Sequence, residues 1–277
     1  MKYLFLFSLF FLFTSCTQKA NEKIEIVVNS WIGYTPFFYA QEKSYLKNLN
    51  IELITTVSLG ESYDIFSVAK ADMLTATQHE YNALKKDFPS LEPIILIDKS
   101  FGGDMILSNR TIKELQKSNS IDVYLEIDSI NNEMIQEFTN KYHLDKDKIN
   151  YINKDQSKIK DLPYSEESAI IIVTYSPYNI ELLKTGYKEL ASTKNSDTII
   201  VIDALFANHE FAKKHQKRLL QLKAVIDRSI QEIKTDPKAV YLLTKKYLNN
   251  ISYTEYKKSL KMIQWINKLD LEKSTIK

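Results

Sequence analysis

The chain has 277 residues, 44% apolar and 26% charged, with 37 lysines and arginines against 35 aspartates and glutamates. A formal charge of +2, without a basic block or an acidic tail, gives no footing for nucleic-acid binding or for a disordered interaction arm. Five glycines, six prolines and one cysteine leave no room for a low-complexity linker or a disulfide framework, so the chain reads as one large or two medium globular domains.

Residues 1–15 read as an export signal: Lys2, an apolar run from Leu4 to Phe13, then the small residues Thr14 and Ser15 before Cys16. The run is too short to span a bilayer, whose core of about 30 Å needs about 20 apolar residues as a helix. Phe13-Thr14-Ser15-Cys16 resembles the lipobox of bacterial lipoproteins, with Phe where Leu is usual. That resemblance implies cleavage before Cys16, lipidation of Cys16, and a protein tethered to a membrane facing the periplasm or the cell exterior.

In chain order, residues 24–28 alternate and then run apolar as a buried strand, and 29–35 form a loop. A helix starts near Pro36, whose missing N–H suits a first turn, and Phe37, Ala40, Gln41 and Tyr45 continue it. Strands at 51–54, 73–76 and 93–97 alternate with helices at 63–69 and 80–86, a β-α-β-α-β order that predicts a largely parallel sheet with helices on both faces. A second unit follows with strand 121–125, helix 131–142, strand 149–152 and the apolar run 169–173. After a strand at 199–204, the pattern from Phe206 to Lys273 is all helical, with amphipathic stretches at 212–235, 237–248 and 254–269, the second opened by Pro237 behind the cap pair Thr235-Asp236. Two α/β units and a helical tail predict a two-lobed binding protein whose chain crosses between lobes twice.

Several blocks resemble one family. The run W-I-G-Y-T-P-F-F-Y-A-Q-E-K-S-Y-L from Trp31 to Leu46 is similar to the first loop and helix of the periplasmic substrate-binding components of nitrate, sulfonate and taurine type ABC transporters, the NMT1/THI5-like group, with Ser44 in place of a glycine. Ala69-Lys70-Ala71-Asp72-Met73 resembles its A-x-G-x-D turn, with Ala71 for the glycine, and Ser100-Phe101-Gly102-Gly103-Asp104 its S-x-G-A/G-D segment. Thr174-Tyr175-Ser176-Pro177-Tyr178 resembles its T-W-x-P-Y block, and Asp203 the aspartate before the return crossing. The resemblance implies an α/β, two-lobed type II periplasmic binding protein fold with a helical C-terminal region. Residues 24–106 and 204–277 would form one lobe and 107–203 the other. It also implies a monomer that needs no cofactor or metal, with a small-molecule solute and the permease and ATPase subunits of an importer as partners.

In open parallel sheets ligands bind beyond the carboxyl ends of the strands, so the loops after the strands supply the candidate ligand-binding residues. These are Trp31, Tyr34, Gln78, Glu80, Ser100, Asp104, Glu126, Ser129 and Tyr175. Trp31 offers a flat face to a ring or an organic cation, or else packs on the adjoining helix. Tyr175 contacts a solute or fills the lobe interface, and Asp104, beside two glycines, accepts from a ligand N–H or caps a hinge. Glu80 belongs either to the site or to a capping box begun by Thr77. Glu126 and Asp128 sit where a bare helix N-terminus would otherwise attract an anion. With Asp104 and Asp203 they make the cleft acidic, which favours a nitrogen-bearing organic solute over the alternative, a sulfonate or nitrate.

Catalysis finds little support. The histidines His79, His143, His209 and His215 are scattered, and no G-x-S-x-G elbow, H-E-x-x-H helix or P-loop occurs. A membrane-tethered sensor using the same cleft is the other role this pattern allows.

Overall fold

The computed structural model describes residues 22–269 apart from 195, 197 and 198, so the signal segment and Cys16 lie outside the described residues. In chain order the elements are β1 (Ile24–Asn29), α1 (Thr35–Glu42), β2 (Ile51–Thr56), α2 (Leu59–Ser67), β3 (Met73–Thr77), α3 (Gln78–Leu84) and β4 (Leu91–Ser100). Next come β5 (Asp104–Ser108), α4 (Ile112–Lys117), β6 (Ile121–Leu125), α5 (Ile130–Lys141), β7 (Ile149–Asn153), α6 (Gln156–Ile159), β8 (Ala169–Tyr175), α7 (Asn179–Thr185) and β9 (Lys188–Ser192). The chain closes with β10 (Ile202–Asn208), α8 (His209–Thr235), α9 (Pro237–Thr244), α10 (Tyr253–Ser259) and β11 (Ile263–Leu269).

Two sheets result, ordered β11-β4-β10-β3-β1-β2 and β7-β6-β8-β5-β9. Both share a five-strand plan, three parallel strands, then one antiparallel strand supplied by the chain as it crosses between the sheets, then one running with the first three, and the first sheet adds β11 at the edge of β4. Those crossing strands, β10 and β5, make both sheets mixed, which corrects the expectation of a largely parallel sheet. Strand order follows long-range pairing, which a local β-α-β rhythm does not contain.

Helices cover both faces of the first sheet, because alternate residues of β1 face opposite ways. Ile24, Ile26 and Val28 pack with Phe37, Phe38 and the α8 residues Leu219, Leu222 and Ile226, while Val27 packs with Phe66 and Leu84. In the second sheet Val123, Leu125 and Ile171 meet Met134, Ile135 and Phe138 of α5 on one side, and Ile170 and Ile172 meet Ile159 and Leu182 on the other. The long helix α8 buries Ala212, His215, Leu219, Leu222, Ile226, Ile230 and Ile233, the three-and-four spacing of a one-faced helix.

The C-terminal region is helical through α8, α9 and α10, but two pieces of the predicted all-helical stretch are strands. Phe206 lies in β10, and residues 263–269 form β11 rather than the end of a helix over 254–269. β11 pairs antiparallel with β4 from Ile263 opposite Ser100 to Leu269 opposite Ile95. The free edge of β4 supplies unpaired N–H and C=O groups, and pairing there outweighs the weak helical periodicity of Ile263-Gln264-Trp265-Ile266. The helix expected over 63–69 starts earlier, at Leu59, because the Ser58 hydroxyl caps it by accepting from the Glu61 N–H.

The α8 packing carries a test. Ile226→Ala removes a wholly buried side chain and should cost about 2–5 kcal/mol of unfolding free energy in a urea titration, whereas Leu220→Ala, at a position 50% exposed on the same helix, should stay within about 0.5 kcal/mol.

Candidate functional site

The carboxyl ends of β1, β3, β6 and β8 converge where the two sheets face each other. A cavity of about 10 Å³, room for about one water, lies there, lined by Asn29, Trp31, Thr77, Asp104, Tyr175 and Asp203 with Leu59 and Ile130. A larger open groove of about 710 Å³ also runs between residues of the two halves, lined by Glu61 and Asp64 of α2, by Asn153 at the end of β7, and by Asp128 and Asp155 from the loops of the second half.

Trp31 is held by its edges. Its indole N–H donates to the Asp98 carboxylate at 3.2 and 3.3 Å, and its ring meets Tyr175 edge-on with centroids 6.0 Å apart. Glycines make this fit possible. A Cβ on Gly103 would lie 2.3 Å from Trp31 Cη2, and one on Gly33 would lie 2.1 Å from Asp98 Oδ2. Trp31 is therefore packed at the lobe interface with only its cavity face available, and Tyr175, also buried, accepts a hydrogen bond from Asn29 Nδ2 at 3.4 Å.

Tyr34, Gln78, Glu80, Ser100 and Ser129 have partners within the chain. Tyr34 donates its hydroxyl to Asp203 Oδ1 at 2.5 Å. Gln78 is tied to the second crossing, donating to the Ile200 carbonyl and accepting from the Ile202 N–H. Glu80 completes a capping box with Thr77, and its other oxygen accepts from the Ile130 N–H at 3.0 Å, which joins α3 of one half to the start of α5 in the other. Ser129 is the N-cap of α5. Ser100 bonds to the Thr193 hydroxyl at 2.7 Å, and Thr193 also accepts from the Gly102 N–H at 2.8 Å, so the two crossings are pinned to each other. Further bonds hold the halves together: Tyr178 to the Val57 carbonyl, Ile32 N–H to the Ser176 carbonyl, and His79 to Glu133.

Asp104 and Glu126 differ from these. Asp104 is 4% exposed and Glu126 6%, yet Asp104 Oδ2 and Glu126 Oε2 have no hydrogen-bond partner, and neither has Asn29 Oδ1. Glu126 uses its other oxygen to accept from the Gln156 N–H at 3.2 Å. Sequence reasoning missed Asp98, a wholly buried carboxylate within the apolar strand β4. Its signal was there: an aspartate directly after the apolar run Ile94-Ile95-Leu96-Ile97.

Electrostatics follow from crowding. Glu80, Asp98, Asp104, Glu126 and Asp203 are all buried, and among the described residues no lysine or arginine is. Burial pushes the Asp104 carboxyl up to about 7, with Ser100 drawing it down and Glu80 adding to the rise. Burial pushes Asp98 up to about 8 against the Trp31 N–H, helped by the Asp104 charge. Glu126 rises to about 8 through burial, opposed by the Gln156 N–H and reinforced by Glu80 and Asp155. Asp203 is held well above its ordinary range by burial and then by Asp98. Like charges this close do not all ionise without a counter-charge.

Comparison with known proteins places the chain among others. Residues 31–240 match the NMT1/THI5 like family model. No curated protein matches by sequence. Among solved structures, the periplasmic aliphatic sulphonate binding protein SsuA from Escherichia coli matches with a TM-score of 0.72 at 12% identity, over 88% of this chain and 80% of that one. The ligand-binding component of an ABC-type import system from Staphylococcus aureus, with zinc bound, matches with a TM-score of 0.69 at 13% identity, over 91% and 88%. The alkanesulfonate-binding protein SsuA from Xanthomonas axonopodis pv. citri, bound to MOPS, matches with a TM-score of 0.70 at 10% identity, over 87% and 86%. At such identities the likeness fixes the fold, a two-lobed periplasmic binding protein fold.

Two outcomes test this geometry. Gly103→Ala should drive Trp31 from its place and cost about 1–3 kcal/mol in chemical denaturation, with a change in tryptophan fluorescence. The second concerns pH. A carboxyl group whose folded value lies near 7, against about 4 unfolded, keeps its proton in the fold while the unfolded chain loses it, so stability falls as pH rises between those values. The melting temperature of Asp104→Asn relative to the parent should therefore be near zero at pH 4, rise to several degrees by pH 7, and level off above.

Proposed function

The chain belongs to the NMT1/THI5-like family, and from that premise we propose that it is the solute-binding protein of an ABC importer, capturing a small nitrogen-bearing organic solute between its two lobes. The observation that carries this reading is the cavity at the facing carboxyl ends of the strands, which presents the carboxyl groups of Asp104 and Asp203 with Trp31 and Tyr175 and no basic side chain. The structural neighbours include importer binding proteins, two of them described as sulfonate binders. A sulfonate needs bare N–H groups and cations, and here Glu126 and Asp128 stand ahead of α5, which favours a nitrogen-bearing solute over the alternative, an anion of that kind.

Lobes in this reading are the halves built on the two sheets, which shifts the bounds expected from the sequence (24–106 with 204–277, and 107–203) so that 104–106 of β5 stay with the second half and 202–203 of β10 with the first. Hinge motion at the crossings after β4 and after β9, pinned by Ser100 and Thr193, opens the cleft. Trp31 and Tyr175 contact the ring or alkyl part of the solute, and Asp104 and Glu126 take its donors. The role in this reading is binding, in keeping with structural neighbours that are described as solute-binding proteins. Residues 1–15 export the protein, Cys16 carries its lipid anchor, and it meets its permease and ATPase partners as a monomer at the outer face of the membrane.

Calorimetry against solutes of differing charge tests the reading. Trp31→Ala and Asp104→Ala should each weaken the binding of a cleft ligand by about 1–3 kcal/mol, with circular dichroism unchanged. Undiminished affinity in both variants would remove the cleft as the site.

A further inference from the structure

We propose that the solute taken by this cleft is a small organic cation with at least two N–H donors, held by Asp104, Glu126 and the Asn29 carbonyl oxygen, and that it binds in exchange for protons on the carboxyl groups. The inference rests on the reading of the chain as a solute-binding protein and names the chemistry of its ligand.

Three buried polar atoms without partners carry it. Asn29 Oδ1, Asp104 Oδ2 and Glu126 Oε2 are all acceptors, and Asn29 and Asp104 line the cavity itself, while the Asn131 amide and Ser176 Oγ, next in the chain to the lining residues Ile130 and Tyr175, are also without partners. Glu126 stands close by, since burial first, and then the Glu126 and Asp104 charges, raise the Tyr175 hydroxyl. An unpaired buried acceptor is costly, and only a donor removes that cost. A ligand that brought further acceptors, as a sulfonate does, would leave all three unpaired.

Charge points the same way. The groups facing Asp104 are Glu80 from α3, Asp98 from β4, Asp203 from β10 and Tyr175 from β8; those facing Glu126 are Glu80, Asp155, Tyr175 and Tyr178, with the backbone N–H groups of Gln156 and of Leu59 at the start of α2. All are acidic or neutral. Cations on the neighbouring elements are turned elsewhere: Lys85, Lys141 and Lys154 lie over the rings of Tyr81, Tyr142 and Tyr124, and His79 bonds to Glu133. Lys99 alternates to the opposite face of β4 from Asp98 and Ser100. The wider groove adds Glu61, Asp64, Asp128 and Asp155 with no lysine, arginine or histidine, a negative approach path that concentrates cations.

A metal ion fits less well than an organic cation. Among the described residues no three histidine, cysteine, aspartate or glutamate side chains converge closely enough to hold one. Acceptors on three residues beside Trp31 and Tyr175 suit an organic ligand whose ammonium or amidinium N–H groups reach more than one of them, and since the cavity as it stands has room for about one water, such a ligand enters with the lobes parted.

The exchange balances simply. Without ligand, the crowded carboxyl groups keep protons in the neutral range, consistent with the raised values of Asp104 and Glu126. A cation entering supplies the positive charge, the carboxyl O–H protons leave to buffer, and the freed oxygens accept from the ligand N–H groups. Affinity then rises with pH, about tenfold per unit for each proton displaced, until pH passes about 8.

Calorimetry with the purified protein uses 1,4-diaminobutane and agmatine as probes, choline as a cation without N–H donors, cytosine as a neutral donor, and butanesulfonate as an anion. It is run at pH 6 and pH 8 in two buffers of different ionisation enthalpy. The expected result is binding of the diamine or agmatine, at least tenfold tighter at pH 8, with protons released to buffer and choline much weaker. Infrared spectroscopy of the ligand-free parent at pH 6 should show a protonated-carboxyl band that the diamine abolishes and that Asp104→Asn and Glu126→Gln each diminish. Binding of cytosine or butanesulfonate without proton release would overturn the cation assignment and leave the solute-binding reading standing. Binding of zinc or calcium in preference to the amines would replace the organic cation with a metal. Binding of no probe at either pH, with the carboxyl band absent, would count against both.

Discussion

Everything at the centre of this molecule is constrained by five carboxyl groups buried at one seam without a buried lysine or arginine beside them. Burial of a charge is tolerated when it is paired, and these groups are paired mostly with neutral donors: Asp98 with the Trp31 indole, Asp203 with the Tyr34 hydroxyl, Glu80 with backbone N–H groups and a threonine. The pairing orders the surrounding side chains. Trp31 is oriented by Asp98, which in turn requires Gly33 and Gly103 to stay bare. The aromatic wall of the cavity is thus a consequence of how the acid groups find donors.

The same economy of partners explains how the halves meet. Hydrogen bonds across the seam use Glu80, Tyr178, Ile32 and His79, while the crossings are joined through Ser100 and Thr193. Each crossing strand runs antiparallel to two strands of the sheet it enters, β10 to β3 and β4, and β5 to β8 and β9, and residues 101–103 between β4 and β5 belong to neither sheet. What separates the two kinds of site residue is satisfaction. Tyr34, Gln78, Glu80, Ser100 and Ser129 are already engaged within the chain, whereas Asp104 and Glu126 each retain a free oxygen.

Much of the fold was legible locally. Residues 24–28, 51–54, 121–125 and 149–152 are strands in the structure where branched apolar residues recur, 73–76 is a short strand buried throughout, and Pro36 and Pro237 stand in first helical turns, where a missing N–H costs nothing. The capping box of Thr77 and Glu80 was also readable, since it depends on residues three apart. β11 was not. Ile263-Gln264-Trp265-Ile266 has no strong period of its own, and what makes it a strand is the open edge of β4, more than 160 positions earlier in the chain.

The sequence by itself determined most of the element types, with β11 an exception, the family blocks from Trp31 to Asp203, and the acidic and aromatic character of the loops after the strands. These follow from side-chain chemistry and short-range spacing, which a single chain displays openly. Tertiary structure alone decided that both sheets are mixed and that Asp98 lies against Trp31. It also decided which carboxyl groups are satisfied and which are left with a bare oxygen. Those outcomes depend on which distant residues share a buried space, where the loss of water makes every donor and acceptor answer for its partner.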